Sequence, residues 1–143
     1  MFQLNLLKVG LYGLGIGAIA IGLSMFLFGP DITGRFFAEM LASVGGRDQS
    51  LTGLSGPDVD SELRFYSVFW IAYGVFVLKA ARALPEHIGR AQILLALFLL
   101  GGIGRVLSHV TIGAPHALFS VLMWIELALP ILLIGLSLMV KRR

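Results

Sequence analysis

No cysteine occurs in the chain, so disulfides, thiol catalysis and thiolate metal sites are all excluded. Charge is scarce as well: Asp, Glu, Lys and Arg make up 13% of the 143 residues, too little to clothe a soluble globule of this size. The net charge is only +3 and no basic stripe is present, so no nucleic-acid partner is expected. Histidine is limited to His87, His109 and His116, with no HxxxH or Glu-xx-His spacing among them. No metal site, haem or other cofactor is therefore expected. No Ser-His-Asp arrangement is suggested either, and no catalytic residue is assigned. What is abundant is apolar surface. Hydrophobic residues make up 57% of the chain and the mean hydropathy is +0.91, values suited to lipid as the solvent.

Four runs are long enough to cross a hydrocarbon core roughly 30 Å thick. They lie at about 9–29, 65–84, 91–112 and 117–140. The first is read as a retained helix rather than a signal peptide, since only Lys8 precedes it and Gly29-Pro30-Asp31 follows it. Helix-breaking clusters separate the later runs: Pro85, Glu86, His87 and Gly89 in one turn, Gly113, Ala114 and Pro115 in the other. Such short connections make neighbours antiparallel. The fold class is therefore all-α, a single four-helix transmembrane domain over 1–143.

Lys8, Lys79, Arg82, Arg90, Lys141, Arg142 and Arg143 fall at one end of these runs. The segment at the other end, 30–61, holds Arg35 and Arg47 against Asp31, Glu39, Asp48, Asp58 and Asp60. The positive-inside rule then places both termini and the 85–90 turn in the cytoplasm. Within the outer segment, Ile32, Phe36, Phe37, Met40 and Leu41 recur at helical spacing, which predicts a short interfacial helix between Asp31 and Val44. Residues 45–61, rich in Gly, Ser and Asp, read as a loop capping the outer end of the bundle.

Charges inside the runs carry the most information. Arg105 interrupts the third, Glu126 the fourth, and Glu62 and Arg64 open the second. Arg105 follows Arg90 by fifteen residues, and Glu126 and Arg64 precede Lys141 and Lys79 by the same interval. At 1.5 Å per residue each stands about 22 Å above the cytoplasmic boundary, with Glu62 slightly further out. Insertion of a lone charge at depth costs about 2.5–3.5 kcal/mol, so such groups turn inward and pair. Two acids and two bases in one layer predict a neutral network of Glu62, Arg64, Arg105 and Glu126 joining three helices. Pro130 removes the helical donor for the Glu126 carbonyl, offering Arg105 a further acceptor, and Ser67, Ser108 and His109 stand near enough in sequence to complete the network. Two readings compete for this layer: an ion-pair lock on helix register, which is preferred, and a polar site for a substrate, lipid head group or proton.

Gly13-Leu14-Gly15-Ile16-Gly17-Ala18 matches the dinucleotide pattern GxGxxA, but inside a continuous apolar run and not between a strand and a helix. Gly10, Gly13, Gly17 and Gly22 are read instead as a small-residue packing seam, with Gly15 and Ala18 among them. Tyr66, Phe69, Trp70, Tyr73 and Phe76 recur on neighbouring faces of the second run. The preferred reading is lipid contact and interfacial anchoring. The rival is a candidate pocket for a flat lipophilic ligand such as a quinone- or sterol-like molecule, from Tyr66, Ser67, Trp70, Tyr73, His109 and Trp124.

The stretch Asp60-Ser61-Glu62-Leu63-Arg64-Phe65-Tyr66-Ser67-Val68-Phe69-Trp70, with Gly74 beyond it, resembles a bacterial family catalogued as domain of unknown function 4345. Gly101-Gly102-Ile103-Gly104-Arg105 through Ser108, Gly113, Pro115, Glu126 and Pro130 fits the same resemblance. A more distant similarity links the chain to DoxX-like four-helix proteins. The resemblance implies a four-helix protein of the bacterial inner membrane and supplies no reaction. The small size, the glycine-lined first run and the missing catalytic set point to a non-enzymatic accessory or assembly subunit. Its partners would be membrane lipids and either other membrane subunits or further copies of itself. The alternative is a binding protein or enzyme for a lipophilic small molecule.

Overall fold

The structure is a computed structural model describing residues 1–45 and 50–141. The expectations placed on Arg47 and Asp48, and on Arg142 and Arg143, lie outside the described residues. Five helices follow one another: α1 (Phe2–Phe28), α2 (Pro30–Ser43), α3 (Pro57–Arg82), α4 (Ile88–Thr111) and α5 (Ala117–Lys141), with no strand among the described residues. All but α2 are long and apolar enough to cross a membrane. Only 17–28% of the apolar segment of each long helix is buried inside the chain. Water would not tolerate the remaining apolar surface, whereas lipid covers it. The chain is a multi-pass membrane bundle, and four crossings bring both ends to the same side.

The helices outrun the apolar runs because lipid exposure demands apolarity while helix formation does not. Segment 57–61, expected as loop, forms the first turn of α3. Pro57 pre-sets its backbone, Asp58 and Asp60 meet the positive end of the helix dipole, and Lys79 and Arg82 meet the negative end. In α2, Pro30 opens the helix and Thr33 is buried, its hydroxyl 2.9 Å from that of Ser24 on α1. Ile32, Phe36 and Met40, four residues apart, are exposed as an apolar stripe. That is the pattern of a helix lying along the membrane surface.

Within the bundle α1 packs chiefly on α3, α4 chiefly on α5, and α1 also meets α5; α3 and α4 touch only lightly. The core gathers at the end of the bundle that holds the α3–α4 turn. It includes Leu7, Leu11 and Leu14 of α1, Val77, Ala80 and Ala81 of α3, and Ala91, Leu95 and Phe98 of α4, with Leu133 of α5. Towards the α2 end a cleft lies between α3 and α4.

The α1–α3 seam is built differently from the expected one. A Cβ on Gly15 would lie 2.8 Å from Leu78, and one on Gly22 would lie 3.0 Å from the Ser67 carbonyl. A Cβ on Gly74 would lie 2.6 Å from the Gly15 carbonyl. Gly10 meets only the flexible end of Leu133, while Gly13 and Gly17 face open space. The GxGxxA match therefore sits inside a packed helix, and the stripe that matters runs through Gly15 and Gly22, seven residues apart. We expect Gly74→Ala to destabilise the bundle by about 1–3 kcal/mol, because rigid backbone blocks the methyl. Gly13→Ala should be neutral or stabilise by up to about 1 kcal/mol through helix propensity. Unfolding in mixed micelles measures both.

Candidate functional site: a polar cleft between α3 and α4

Each face of α3 has its own partner. Positions 64, 67, 71, 74 and 78 turn to α1, where Gly22 and Gly15 admit close approach. One residue back, at 63, 66, 70 and 73, the side chains border a cleft shared with α4. A step of one residue is 100° around a helix, which is enough to part neighbours between two environments.

The cleft holds about 560 Å³. Leu63, Tyr66, Phe69, Trp70 and Tyr73 form its α3 wall, facing Leu97, Phe98, Gly101, Gly104, Arg105 and Ser108 of α4, and Glu126 of α5 closes the back. Its floor is an aromatic cluster: Tyr73 stacks on Phe98 with centroids 6.1 Å apart, and Trp70 meets Phe98 edge-on at 6.2 Å. The Tyr73 hydroxyl donates to the Leu94 carbonyl at 2.9 Å, fixing the distance between α3 and α4 at this level. Above the floor nothing bridges the two helices among the described contacts, and glycine takes the place of side chains on α4. A Cβ on Gly104 would meet nothing within 4 Å, and one on Gly101 only Glu126 Oε2 at 4.0 Å.

Arg105 and Glu126 meet in the cleft wall. Arg105 Nε donates to Glu126 Oε2 at 2.7 Å, and the Arg105 guanidinium lies over the Phe119 ring at 5.8 Å. The two side chains differ in exposure: 6% of the Glu126 side chain is accessible against 33% of Arg105. The carboxylate is sunk between α4 and α5, where Gly102 removes the bulk that would hold it away. A Cβ at Gly102 would stand 3.0 Å from the Glu126 backbone carbon and 3.1 Å from its carbonyl oxygen. That oxygen, expected as an acceptor for Arg105, packs against Gly102 instead. Arg105 thus spends one donor on Glu126, and its two Nη groups have no protein acceptor among the described residues.

The other two members of the expected network lie elsewhere. Arg64 binds Asp60, one turn away, with Nε–Oδ2 at 2.6 Å and Nη2–Oδ1 at 3.2 Å, and also donates through Nη1 to the Phe26 carbonyl at 2.7 Å. It caps the C-terminal end of α1, where helix carbonyls lack partners and the dipole favours a cation. Glu62 is exposed. Direction around the helix was not legible for these residues. The four-member network is thus corrected to one interhelical pair and one capping pair.

Among the expected pocket residues, Tyr66, Trp70 and Tyr73 line the cleft, whereas Ser67, His109 and Trp124 do not. Ser67 is fully buried on the α1 side, its hydroxyl donating to the Arg64 carbonyl at 2.6 Å. Trp124 is 65% exposed on the outer surface, and His109 is exposed on α4. Phe98, Leu97 and Leu63 escaped the sequence reading. Phe98 carried a signal, since it stands seven residues before Arg105 and therefore on the same stripe of α4. The acid–base spacing of Asp60 and Arg64 was likewise visible as an i, i+4 pair. No group of three or more His, Asp or Glu side chains suited to a metal ion occurs among the described residues.

No curated protein and no solved structure matches the chain. A family model matches residues 6–137, from the first helix through almost all of the last, and so covers the cleft and both ion pairs. On that match the chain belongs to the family described as "Domain of unknown function (DUF4345)".

Proposed function

We propose that this protein binds a lipophilic small molecule in the cleft between α3 and α4, within the cytoplasmic membrane of a bacterium. One observation carries the reading: an arginine one-third accessible, with Nη donors unpartnered among the described residues, and a buried carboxylate stand in the wall of a roomy, mostly apolar cleft. A lock on helix register needs the ion pair but not the adjoining space. The volume falls within the range of about 300–1,000 Å³ typical of small-molecule sites, and apolar walls with few convergent polar groups are their usual lining. Positive-inside placement of Lys8, Lys79, Arg82 and Arg90 would set the α3–α4 turn in the cytoplasm and the Arg105 end of the cleft in the outer half of the bilayer. Binding is proposed rather than catalysis, since Glu126 is engaged by Arg105 and no activated nucleophile adjoins it among the described residues.

Gly104→Leu tests the reading. The new side chain enters open space and favours the helix, so folding should be unaffected while the cleft is filled. Native mass spectrometry of protein extracted from its own membrane should show a retained small molecule in the wild type and none in the variant. Identical spectra for the two proteins would remove the support for this site.

A second reading, an accessory subunit, draws on the outward face of α1. There Gly13, Val9 and Ile16 are exposed and a Cβ at Gly13 or Gly17 meets nothing, so another transmembrane helix has room to approach. The same spectra decide this: a second protein chain retained with the first favours it, and a bare monomer opposes it.

A further inference from the structure

Resting on the reading of the cleft as a binding site, we infer that its ligand is an uncharged amphiphile whose head accepts hydrogen bonds through a hydroxyl, ester or carbonyl oxygen. The class follows from the charge balance of the wall. Arg105 and Glu126 neutralise each other across 2.7 Å, so the cleft offers no net charge to an ionic head. An anionic head on the Arg105 Nη groups would leave two negative charges around one cation. A cationic head approaching the same wall meets the guanidinium first, because Glu126 is the more deeply buried of the pair. Either way one charge is left uncompensated in a medium of low dielectric, where that is most costly.

An uncharged acceptor leaves the pair intact and takes the Nη donors, which have no protein partner among the described residues. Ser108 and Tyr66, with hydroxyls on the two walls beside Arg105, can serve a head that also donates. The body of the ligand is placed by the same geometry. Gly101 and Gly104 present smooth backbone opposite the rings of Tyr66, Phe69 and Trp70, a slot suited to a flat ring or an extended chain. Tyr73 and Phe98 close that slot at depth, so the head lies level with Arg105 and the tail must leave sideways between α3 and α4 into lipid.

The test is a competition read by native mass spectrometry on the full chain in mild detergent. Four amphiphiles with the same tail are supplied together: an acylglycerol, an alkyl-benzoquinone, an alkyl sulfate and an alkyltrimethylammonium. The wild type should retain an uncharged member at least about tenfold over both ions, the worth of one charge-assisted hydrogen bond. Which uncharged member is retained separates a glyceride source from a quinoid one. Arg105→Met combined with Glu126→Met, which removes both charges at similar volume, should abolish the preference for an oxygen-bearing head. Retention of the sulfate or the ammonium at or above the uncharged pair overturns the head-group assignment and leaves the cleft as a site. Adducts equal in wild type and Gly104→Leu overturn the cleft itself, and the head-group assignment falls with it.

Discussion

Arg105→Leu alone should destabilise the bundle by about 3–5 kcal/mol, the loss typical of a buried ion pair deprived of one member. The variant keeps the apolar stem and removes the only partner, among the described residues, of a carboxylate whose side chain is 6% accessible. Neither route of escape is easy. Glu126 sits against the Gly102 backbone between α4 and α5, and Pro130, fully buried one turn later, limits how far α5 can adjust. Replacing both members, Arg105→Met with Glu126→Met, should come within about 1 kcal/mol of wild type or exceed it, because no charge is then stranded. Exchange of the two, Arg105→Glu with Glu126→Arg, should recover part of the loss. It will not recover all, since position 126 is the more deeply buried, 6% accessible against 33%, and a guanidinium is the bulkier group to hold there. Unfolding in mixed micelles gives the three values. A single variant as stable as the wild type would show that Glu126 does not depend on Arg105, and the geometry of the cleft wall would need another explanation.

Gly29→Ala should cost about 2–4 kcal/mol, by two mechanisms that act at one atom. Gly29 ends α1 and begins α2 with φ +88° and ψ 162°, a region that side chains rarely enter. A Cβ there would stand 2.6 Å from Arg64 Nη2 and 2.8 Å from Asp60 Oδ1. The added methyl therefore strains the junction and also pushes away the guanidinium that caps the Phe26 carbonyl. Gly53→Ala separates the two effects. Gly53 has φ +91° with nothing within 4 Å, so it carries the backbone strain without the collision. The Gly29 variant should lose more stability, and Arg64→Leu should reproduce the part due to the lost cap. Equal losses at Gly29 and Gly53 would show that Arg64 contributes nothing at this junction.

The candidate site was half legible from the chain. Arg105 and Glu126 could be paired from their distances to the basic residues at the helix ends, because rise along a straight helix is a fixed quantity. The same count placed Arg64 at their level, and there it failed: Arg64 faces α1 while Leu63 and Tyr66 face α4. Ser67 followed Arg64 to the α1 side for the same reason. The aromatic run on α3 was visible, but its division into cleft wall and lipid-facing surface depended on the position of α4.

What the chain determined unaided was one-dimensional: which segments are long and apolar enough to cross, how far along its helix each charge lies, where α2 begins. Apolarity, rise per residue and helix punctuation are local properties, and 143 residues spell them out in order. Tertiary structure decided every question of azimuth. It chose Gly15 and Gly22 over Gly13 and Gly17 for the α1–α3 contact, sent Arg64 to a helix end, and left α3 and α4 apart above Tyr73. In lipid both faces of a spanning helix are apolar, so hydrophobicity does not tell the inside from the outside. Only shape, through small residues that let backbones meet and hydrogen bonds that fix their spacing, makes that choice.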